Sequence, residues 1–126
     1  MTAPRTTLFV YGTLKRGDVR AHLLAEQAFL GEAHTAARYR LFNTGDYPAL
    51  VEAGPLGAIG RSILGELWQV DEHCLARLDE EEGVDEGLYE RRLIAMLGRE
   101  EPTQSYFYLP STAGMADCGD RWARTR

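Results

Sequence analysis

The sequence lacks the residues that build disulfide frameworks and the common metal sites. It has two cysteines and three histidines in 126 residues. They form neither a Cys-x-x-Cys nor a His-x-x-x-His pair, which excludes a structural zinc site of the usual kind and a disulfide-stabilised fold. A reducing compartment is the default for such a chain, so we expect a cytoplasmic protein that holds no metal.

Long apolar runs and an excess of positive charge are also missing. No apolar run reaches the roughly 18 residues that a membrane-spanning helix needs, and the polar start of the chain is unlike a signal peptide. Fourteen basic residues stand against 19 acidic ones, a net charge of −5. Nonspecific binding of nucleic acid depends on neutralising phosphates, so this chain is a poor candidate for it. We therefore expect neither a membrane nor a nucleic acid among its partners, and the oligomeric state stays open.

The length is that of one domain. Residues 1–126 are predicted to form a single domain, with a core from about 7 to 110 and a tail from 111 to 126. Hydrophobic residues are 44% and charged residues 26% of the chain, as in an average soluble globular protein. A chain of this size buries enough surface to fold without disulfide bonds.

The order of apolar runs and turns predicts an α+β fold. Ala21–Phe29 and Asp71–Glu82 are predicted helices, and the second has an N-cap signal at Asp71 and a stop signal at Gly83. Six or seven strands without long βαβ alternation favour a small mixed sheet or barrel with helices beside it. The strand-like segments are Leu8–Tyr11, Ala36–Phe42, Tyr47–Glu52, Ile63–Val70, Tyr89–Leu97 and Gln104–Leu109.

A loop bracketed by glycines follows the first strand-like run. It reads Gly-Thr-Leu-Lys-Arg-Gly over Gly12 to Gly17, and it lacks the Lys-Ser/Thr that a phosphate-binding Walker loop needs after its second glycine. Glycine lets backbone N–H groups converge on a ligand without a Cβ in the way. Such amides suit a carboxylate or a developing oxyanion. The alternative is a plain turn, in which glycines are common.

Four carboxylates stand in a row at the end of the second predicted helix, at 79–82. At about 100° per residue, Cys74, Leu75 and Leu78 mark the apolar face, Glu82 falls close to its centre, and Glu80 points to the opposite side. A glutamate on an apolar stripe needs an ion-pair partner or a catalytic role, and burial would raise its pKa towards neutrality. The geometry leaves both alternatives open.

Three tyrosines stand on the late strand-like segments. Tyr106 and Tyr108 are two residues apart and therefore share one face of a strand. Tyr89 follows Glu82 across a glycine-containing turn, so its hydroxyl can return towards the same cleft. Tyrosines in strands usually serve packing, so this pattern alone indicates no function.

The glycine loop, the acidic helix end and the tyrosine-bearing strands, in this order along the chain, resemble the gamma-glutamylcyclotransferase-like family. This family includes the gamma-glutamylamine cyclotransferases and the plant avirulence-induced relatives. The resemblance runs from about Leu8 to Leu109. Its most specific pair is Tyr-Gly-Thr-Leu after a strand and Leu-Asp-x-x-Glu-Gly at a helix end. The matching segments are Phe9–Gly17, Tyr47–Leu50, Gly65–Val70, Leu78–Gly83, Leu88–Arg91 and Tyr106–Tyr108.

The resemblance implies a compact mixed β-barrel with flanking helices and a cavity at one end. It also implies an enzyme that cleaves a gamma-glutamyl amine: the substrate's own α-amine attacks its γ-carbonyl, releasing 5-oxoproline and a free amine. Because the substrate supplies the nucleophile, this chemistry needs no metal or cofactor. The family's catalytic glutamate falls on Glu82. Its substrate-binding positions fall on Tyr11, Gly12, Thr13, Leu14, Tyr89 and Tyr108, with Tyr106 as the alternative to Tyr108.

Two other functions stay open at this point. A non-catalytic module on the same fold would use the cavity to hold a small acidic metabolite. An interaction protein would keep Glu82 only as the ion-pair partner of Arg91 or Arg92. For an enzyme, the leaving amine is an amino acid, a lysine side chain, a polyamine or an antibiotic precursor. We expect Ala53–Arg61 and the tail after Pro110 to shape the mouth of the cavity.

Overall fold

The computed structural model describes residues 5–54 and 59–122. This part of the chain forms eight strands, one α-helix and one 3₁₀ turn, which confirms the α+β class. In chain order the elements are β1 (Arg5–Val10), the 3₁₀ turn (Ala21–Leu24), β2 (Ala28–His34), β3 (Tyr39–Asn43), β4 (Pro48–Glu52), β5 (Leu64–Asp71), α1 (Glu72–Glu81), β6 (Tyr89–Leu93), β7 (Gln104–Tyr108) and β8 (Ala116–Asp117).

The strands form two sheets. The larger has the order β2-β5-β1-β7-β6, and the smaller has the order β4-β3-β8. β1 runs antiparallel to β5 and parallel to β7, so the larger sheet is mixed, as expected. Within residues 5–54 and 59–122 the ladders do not close into one ring, and the barrel implied by the resemblance is therefore not confirmed.

β1 is the centre of the molecule, and both of its faces are buried. Leu8 and Val10 pack in a cluster with Leu78 of α1. Phe9 points to the other side and packs with Leu41 of the smaller sheet. A strand buried on both faces needs a continuous apolar run, which is what the sequence has here. The loop after β1 therefore starts between α1 and the smaller sheet.

A glycine allows β5 to lie close against β1. A Cβ on Gly65 would be 2.5 Å from the carbonyl oxygen of Val10 and 2.6 Å from Cζ of Phe9. Because no side chain fits there, the glycine inside this strand marks a close backbone approach.

The predicted boundaries of the second helix are confirmed. The Asp71 carboxylate accepts a hydrogen bond from the backbone N–H of Cys74 at 2.8 Å, which is N-cap geometry. The chain leaves the helix at Gly83, whose φ of +68° lies in the region that favours glycine. Cys74 and Leu78 are buried, and Glu80 is exposed. The predicted apolar face of α1 is thus the face that packs on the sheet.

The first predicted helix, Ala21–Phe29, is wrong beyond its first turn. Only Ala21–Leu24 is helical, as a 3₁₀ turn anchored by buried Leu23 and Leu24. The chain then enters β2, which pairs antiparallel with β5 as an edge strand of the larger sheet. A nine-residue helix is marginal on its own, and the pairing with β5 satisfies the backbone instead. β8 in the tail was also not predicted.

Candidate functional site

A cavity opens where the loop after β1 faces the end of α1. The space between its walls is about 320 Å³, a figure that includes open solvent at its mouth. Six of the seven positions assigned by the resemblance line it. They are Tyr11, Gly12, Thr13, Leu14, Glu82 and Tyr89.

The loop crosses the cavity in a tight turn. The N–H of Lys15 donates to the carbonyl of Gly12 at 3.1 Å, and the N–H of Arg20 donates to the carbonyl of Thr13 at 2.9 Å. A Cβ on Gly12 would lie 2.6 Å from Cγ of Pro48. Glycine is therefore required here by the wall that Pro48 forms, whereas we expected the close approach to be to a ligand.

A buried glutamate holds the outer side of this loop. Glu66 of β5 is 5% exposed. Its carboxylate accepts hydrogen bonds from the backbone N–H of Arg16 at 3.0 Å, from Nε of Arg16 at 3.1 Å and from Nε1 of Trp68 at 3.2 Å. Lys15 adds a bond from Nζ to the carbonyl of Trp122 at 2.7 Å. Sequence reasoning missed Glu66, although an acidic residue inside a buried strand run is a signal for it.

Glu82 follows α1 directly and is 7% exposed, which confirms that it points inward. Its partner is Arg20, whose Nη2 lies 2.6 Å from Oε1 of Glu82. The alternatives Arg91 and Arg92 are wrong, because both lie elsewhere on β6. Arg91 makes a two-pronged ion pair with Asp79 at 2.9 and 3.1 Å. Arg92 lies 3.9 Å from Glu52 and 4.0 Å from Glu90.

Arg20 was not among the residues expected in the site, yet it joins both of its walls. Its Nε donates to Oγ1 of Thr13 at 2.8 Å, and its Nη1 donates to the carbonyl of Glu81 at 3.4 Å. Arg20 and Glu82 are 62 positions apart in the chain. No local pattern connects residues so far apart, and the only signal was a lone arginine just after the loop.

Burial governs the electrostatics of the cavity. It raises the pKa of Glu82 above the ordinary value of a glutamate, while the charge of Arg20 and its hydrogen bond act in the opposite direction. Burial also raises the pKa of Tyr11, Tyr89 and Tyr106. The negative charge of Glu82 adds to the rise for Tyr89, and the hydrogen bond to Asp79 adds to it for Tyr106. These three tyrosines therefore stay protonated and act as hydrogen-bond donors at neutral pH.

The tyrosine hydroxyls fix the cavity wall through bonds within the protein. Tyr11 donates to the carbonyl of Tyr106 at 2.6 Å, and Tyr89 donates to the carbonyl of Pro48 at 2.7 Å. The hydroxyl of Tyr106 donates to Oδ1 of Asp79 at 2.6 Å.

Tyr108, the seventh assigned position, is not among the residues that line the cavity. Tyr108 is half-buried and packs edge-on against Tyr89, with ring centroids 5.4 Å apart. It pairs with Tyr89 across β6 and β7, and the Tyr89 ring takes the position beside the cavity. Tyr106, the alternative, lines the cavity. A period of two places both rings on one face, but it does not say which of them reaches the cavity.

A second, wider space continues from the cavity to the surface. It measures about 590 Å³ counted out to its mouth. Its walls combine apolar Val19 and Leu88 with the carboxylates of Asp46 and Glu81. The described parts of the two segments expected to shape the mouth, Ala53–Arg61 and the tail after Pro110, line neither space. Residues 55–58 and 123–126 of these segments lie outside the described residues.

Residues 5–54 and 59–122 hold no group of three or more His, Cys, Asp or Glu side chains placed to bind a metal ion. Over the same ranges, no helix is long and apolar enough to cross a bilayer.

Comparison with known proteins agrees with the motifs. The family model described as "Gamma-glutamyl cyclotransferase, AIG2-like" matches residues 8–124. The chain belongs to this family. The resemblance drawn from the sequence motifs is thereby confirmed, and the gamma-glutamyl cyclotransferase, AIG2-like match extends beyond Leu109 into the tail.

Relatives in this family are found in bacteria and mammals. A protein of Vibrio cholerae, provisionally named a gamma-glutamylcyclotransferase, is 42% identical over 72 residues, 57% of either chain. The gamma-glutamylaminecyclotransferase of Bos taurus is 34% identical over 113 residues, 83% of this chain and 66% of the bovine one. The match thus spans less than two thirds of each relative. The crystal structure of an AIG2-like protein from Mus musculus has a TM-score of 0.71 at 24% identity, covering 94% of this chain and 88% of the mouse chain.

Proposed function

We propose that the protein is an enzyme of the gamma-glutamylcyclotransferase type, which converts a gamma-glutamyl amine into 5-oxoproline and a free amine. The observation that carries this proposal is the position of Glu82. It is the single carboxylate among the described residues that line the inner cavity, and it faces the loop of Tyr11 to Leu14. A buried carboxylate that faces such a loop across a cavity is suited to proton transfer.

The reaction needs one proton carrier and a folded substrate. Glu82 takes a proton from the α-ammonium group, and the freed amine attacks the γ-carbonyl carbon to close a five-membered ring. As the tetrahedral centre collapses and the bond to the leaving nitrogen breaks, Glu82 gives its proton to that nitrogen. The ring nitrogen then loses its second proton to the regenerated carboxylate of Glu82, which passes it to the departing amine, so that the products are 5-oxoproline and an ammonium ion. One carboxylate serves both steps. Holding amine and carbonyl in contact supplies the large advantage of an intramolecular reaction.

The loop of Tyr11 to Leu14 is the proposed holder of the gamma-glutamyl group. The internal bonds of the turn use the N–H groups of Lys15, Asp18 and Arg20, and those of Gly12 to Leu14 are not in this set. Backbone N–H groups at such a turn stabilise a carboxylate or the oxyanion that develops on the γ-carbonyl. We assign the inner cavity to the gamma-glutamyl group and the wider outer space to the leaving amine.

The second candidate is a binding module that uses the same cavity without turnover. The observation in its favour is the Arg20–Glu82 ion pair, because a purely structural pair would look the same. A binder would be stabilised by a gamma-glutamyl compound and leave it unchanged. The two candidates therefore differ in a single measurable quantity, the release of product.

The test is a screen of gamma-glutamyl amides for release of 5-oxoproline. The leaving amines are neutral, cationic and zwitterionic, because the outer space has both carboxylates and a guanidinium in its wall. The same amides with an acetylated α-amine are the substrate control, since cyclisation needs that amine free and hydrolysis does not. We expect 5-oxoproline from at least one free amide and no product from its acetylated form. Binding without product would support the module, and glutamate as product would identify a hydrolase.

A further inference from the structure

Arg20 contacts two parts of the site that the proposed reaction uses, the loop after β1 and Glu82. Its guanidinium bonds to Glu82 at 2.6 Å, to the loop hydroxyl of Thr13 at 2.8 Å and to the carbonyl of Glu81 at 3.4 Å. It thus joins the loop that follows β1 to the end of α1. Removing this one side chain would remove all three of these hydrogen bonds.

The surroundings of Glu82 contain one cation. The groups that face Glu82 electrostatically are Tyr11 from the loop, Tyr89 from β6, Tyr106 from β7, Glu81 on its own helix and Arg20. Among these described residues only Arg20 is positive, and the tyrosines are neutral. A buried carboxylate without a cation takes up a proton and ceases to be a base.

The geometry of the pair leaves one carboxylate oxygen for substrate. Arg20 bonds to Oε1 of Glu82, and Oε2 has no hydrogen-bond partner among the described residues. The Arg20 side chain is 26% exposed and that of Glu82 is 8% exposed. The cation therefore lies on the solvent side of the carboxylate, and the carboxylate lies on the cavity side.

We propose that Arg20 is a positioning residue for Glu82: its guanidinium turns one carboxylate oxygen towards the cavity and keeps the group ionised, so that it accepts the substrate's ammonium proton near neutral pH. The inference rests on the proposed function for its catalytic part only. The effect on the charge of Glu82 exists with or without turnover. Two effects on the pKa of Glu82 oppose each other: burial raises this pKa, and Arg20 limits the rise.

The experiment uses two variants. Arg20→Met keeps a long side chain and removes the charge. Arg20→Lys keeps the charge and loses the branched guanidinium group that donates several hydrogen bonds. Arg40→Met is the matched control, since Arg40 is also part of a half-buried ion pair, with an exposed fraction of 25%. Its partner Asp117 lies on β8, away from the cavity. Thermal unfolding first shows that each variant is folded.

Two readouts are taken on every variant. The first is the titration of the Glu82 carboxyl carbon by ¹³C NMR, assigned with Glu82→Gln, which needs no turnover. The second is the pH dependence of kcat/KM for an amide that the wild type converts. In Arg20→Met we expect the Glu82 titration and the acidic limb of kcat/KM to move together to higher pH, by about one unit or more. Arg20→Lys is expected to stay near the wild-type limb with a lower kcat, and Arg40→Met to move neither readout.

The outcomes separate the inference from the proposed function. An unchanged Glu82 titration in Arg20→Met overturns the role of Arg20, even if activity falls. The same holds if Arg40→Met shifts the titration equally. If Arg20→Met does not fold, Arg20→Lys decides. Because Arg20→Lys retains the charge, a shift of its acidic limb of kcat/KM to higher pH overturns the role of Arg20. If the wild type releases no 5-oxoproline, the proposed function fails, and the NMR titration still decides whether Arg20 keeps Glu82 ionised.

Discussion

Replacing Glu66 tests whether the loop after β1 is held from outside the cavity. The carboxylate of Glu66 accepts three hydrogen bonds, two from Arg16 and one from the indole of Trp68. The Arg16 side chain is 54% exposed, so its charge pairing is screened by solvent and contributes little. Nε1 of Trp68 is buried and has no such compensation, and a buried donor left unpaired costs about 1–3 kcal/mol. Loss of the partly buried bond from the backbone N–H of Arg16 adds about 1 kcal/mol.

These magnitudes rank two variants. Glu66→Gln keeps one acceptor oxygen for both donors and is expected to lose about 1 kcal/mol of unfolding free energy. Glu66→Leu keeps none and is expected to lose about 2–4 kcal/mol. For a domain of this size each 1 kcal/mol corresponds to about 3–5 °C in Tm. Because the loop then loses its outer support, KM for a converted amide should rise more in Glu66→Leu than in Glu66→Gln.

Urea unfolding curves, fitted with the same dependence of free energy on urea concentration for all variants, measure the change in unfolding free energy. Initial rates give KM. Glu32→Gln is the matched control, because Glu32 is exposed and stands opposite Glu66 on β2. It removes a like-charge pair and should be neutral or slightly stabilising. Equal stability for Glu66→Gln and Glu66→Leu would refute the reasoning, and so would an unchanged KM in a destabilised Glu66→Leu.

Three further outcomes are expected. Gly12→Ala would place a Cβ 2.6 Å from Cγ of Pro48, so we expect a loss of about 1–3 kcal/mol in urea unfolding together with reduced turnover; wild-type stability would contradict the close approach. Tyr106→Phe should change kcat or KM for a converted amide and Tyr108→Phe should change neither, because Tyr106 lines the cavity and Tyr108 does not; the reverse ranking would contradict the placement. The pKa of Glu82 is raised from its ordinary 4.5, so the folded state binds this proton more tightly. The contribution of Glu82 to stability is therefore present below pH 4.5 and lost as pH rises through its folded-state pKa. Wild-type unfolding free energy should fall relative to that of Glu82→Gln over this window, and a rise would contradict the direction of the shift.

Local signals were enough to predict the second helix and the inward direction of Glu82. The N-cap at Asp71, the stop at Gly83 and the 3.6-residue period all act within a dozen residues. β2 shows the opposite case, because Ala28–His34 has a helix-compatible start and becomes a strand only through pairing with β5. The physical cause is tertiary, and it is absent from the local pattern.

The partners of the two buried glutamates could not be predicted for the same reason. Arg20 and Glu82 are 62 positions apart, and Arg16 and Glu66 are 50 apart. A buried carboxylate needs a charged or hydrogen-bonding partner, yet only the fold decides which arginine is that partner. Arg91 is close in sequence to Glu82 and was a reasonable alternative, but β6 directs it to Asp79.

The rate of 5-oxoproline release by Glu82→Gln tests the central claim most directly, that Glu82 carries the proton of an intramolecular cyclisation. The substitution keeps the shape of the side chain and removes the base. Glu80→Gln is the matched control, since Glu80 belongs to the same acidic run and is exposed on the other face of α1. We predict that Glu82→Gln loses activity by about 10²–10⁴-fold while it stays folded and Glu80→Gln keeps the wild-type rate. A folded Glu82→Gln that releases 5-oxoproline as fast as the wild type would contradict the account.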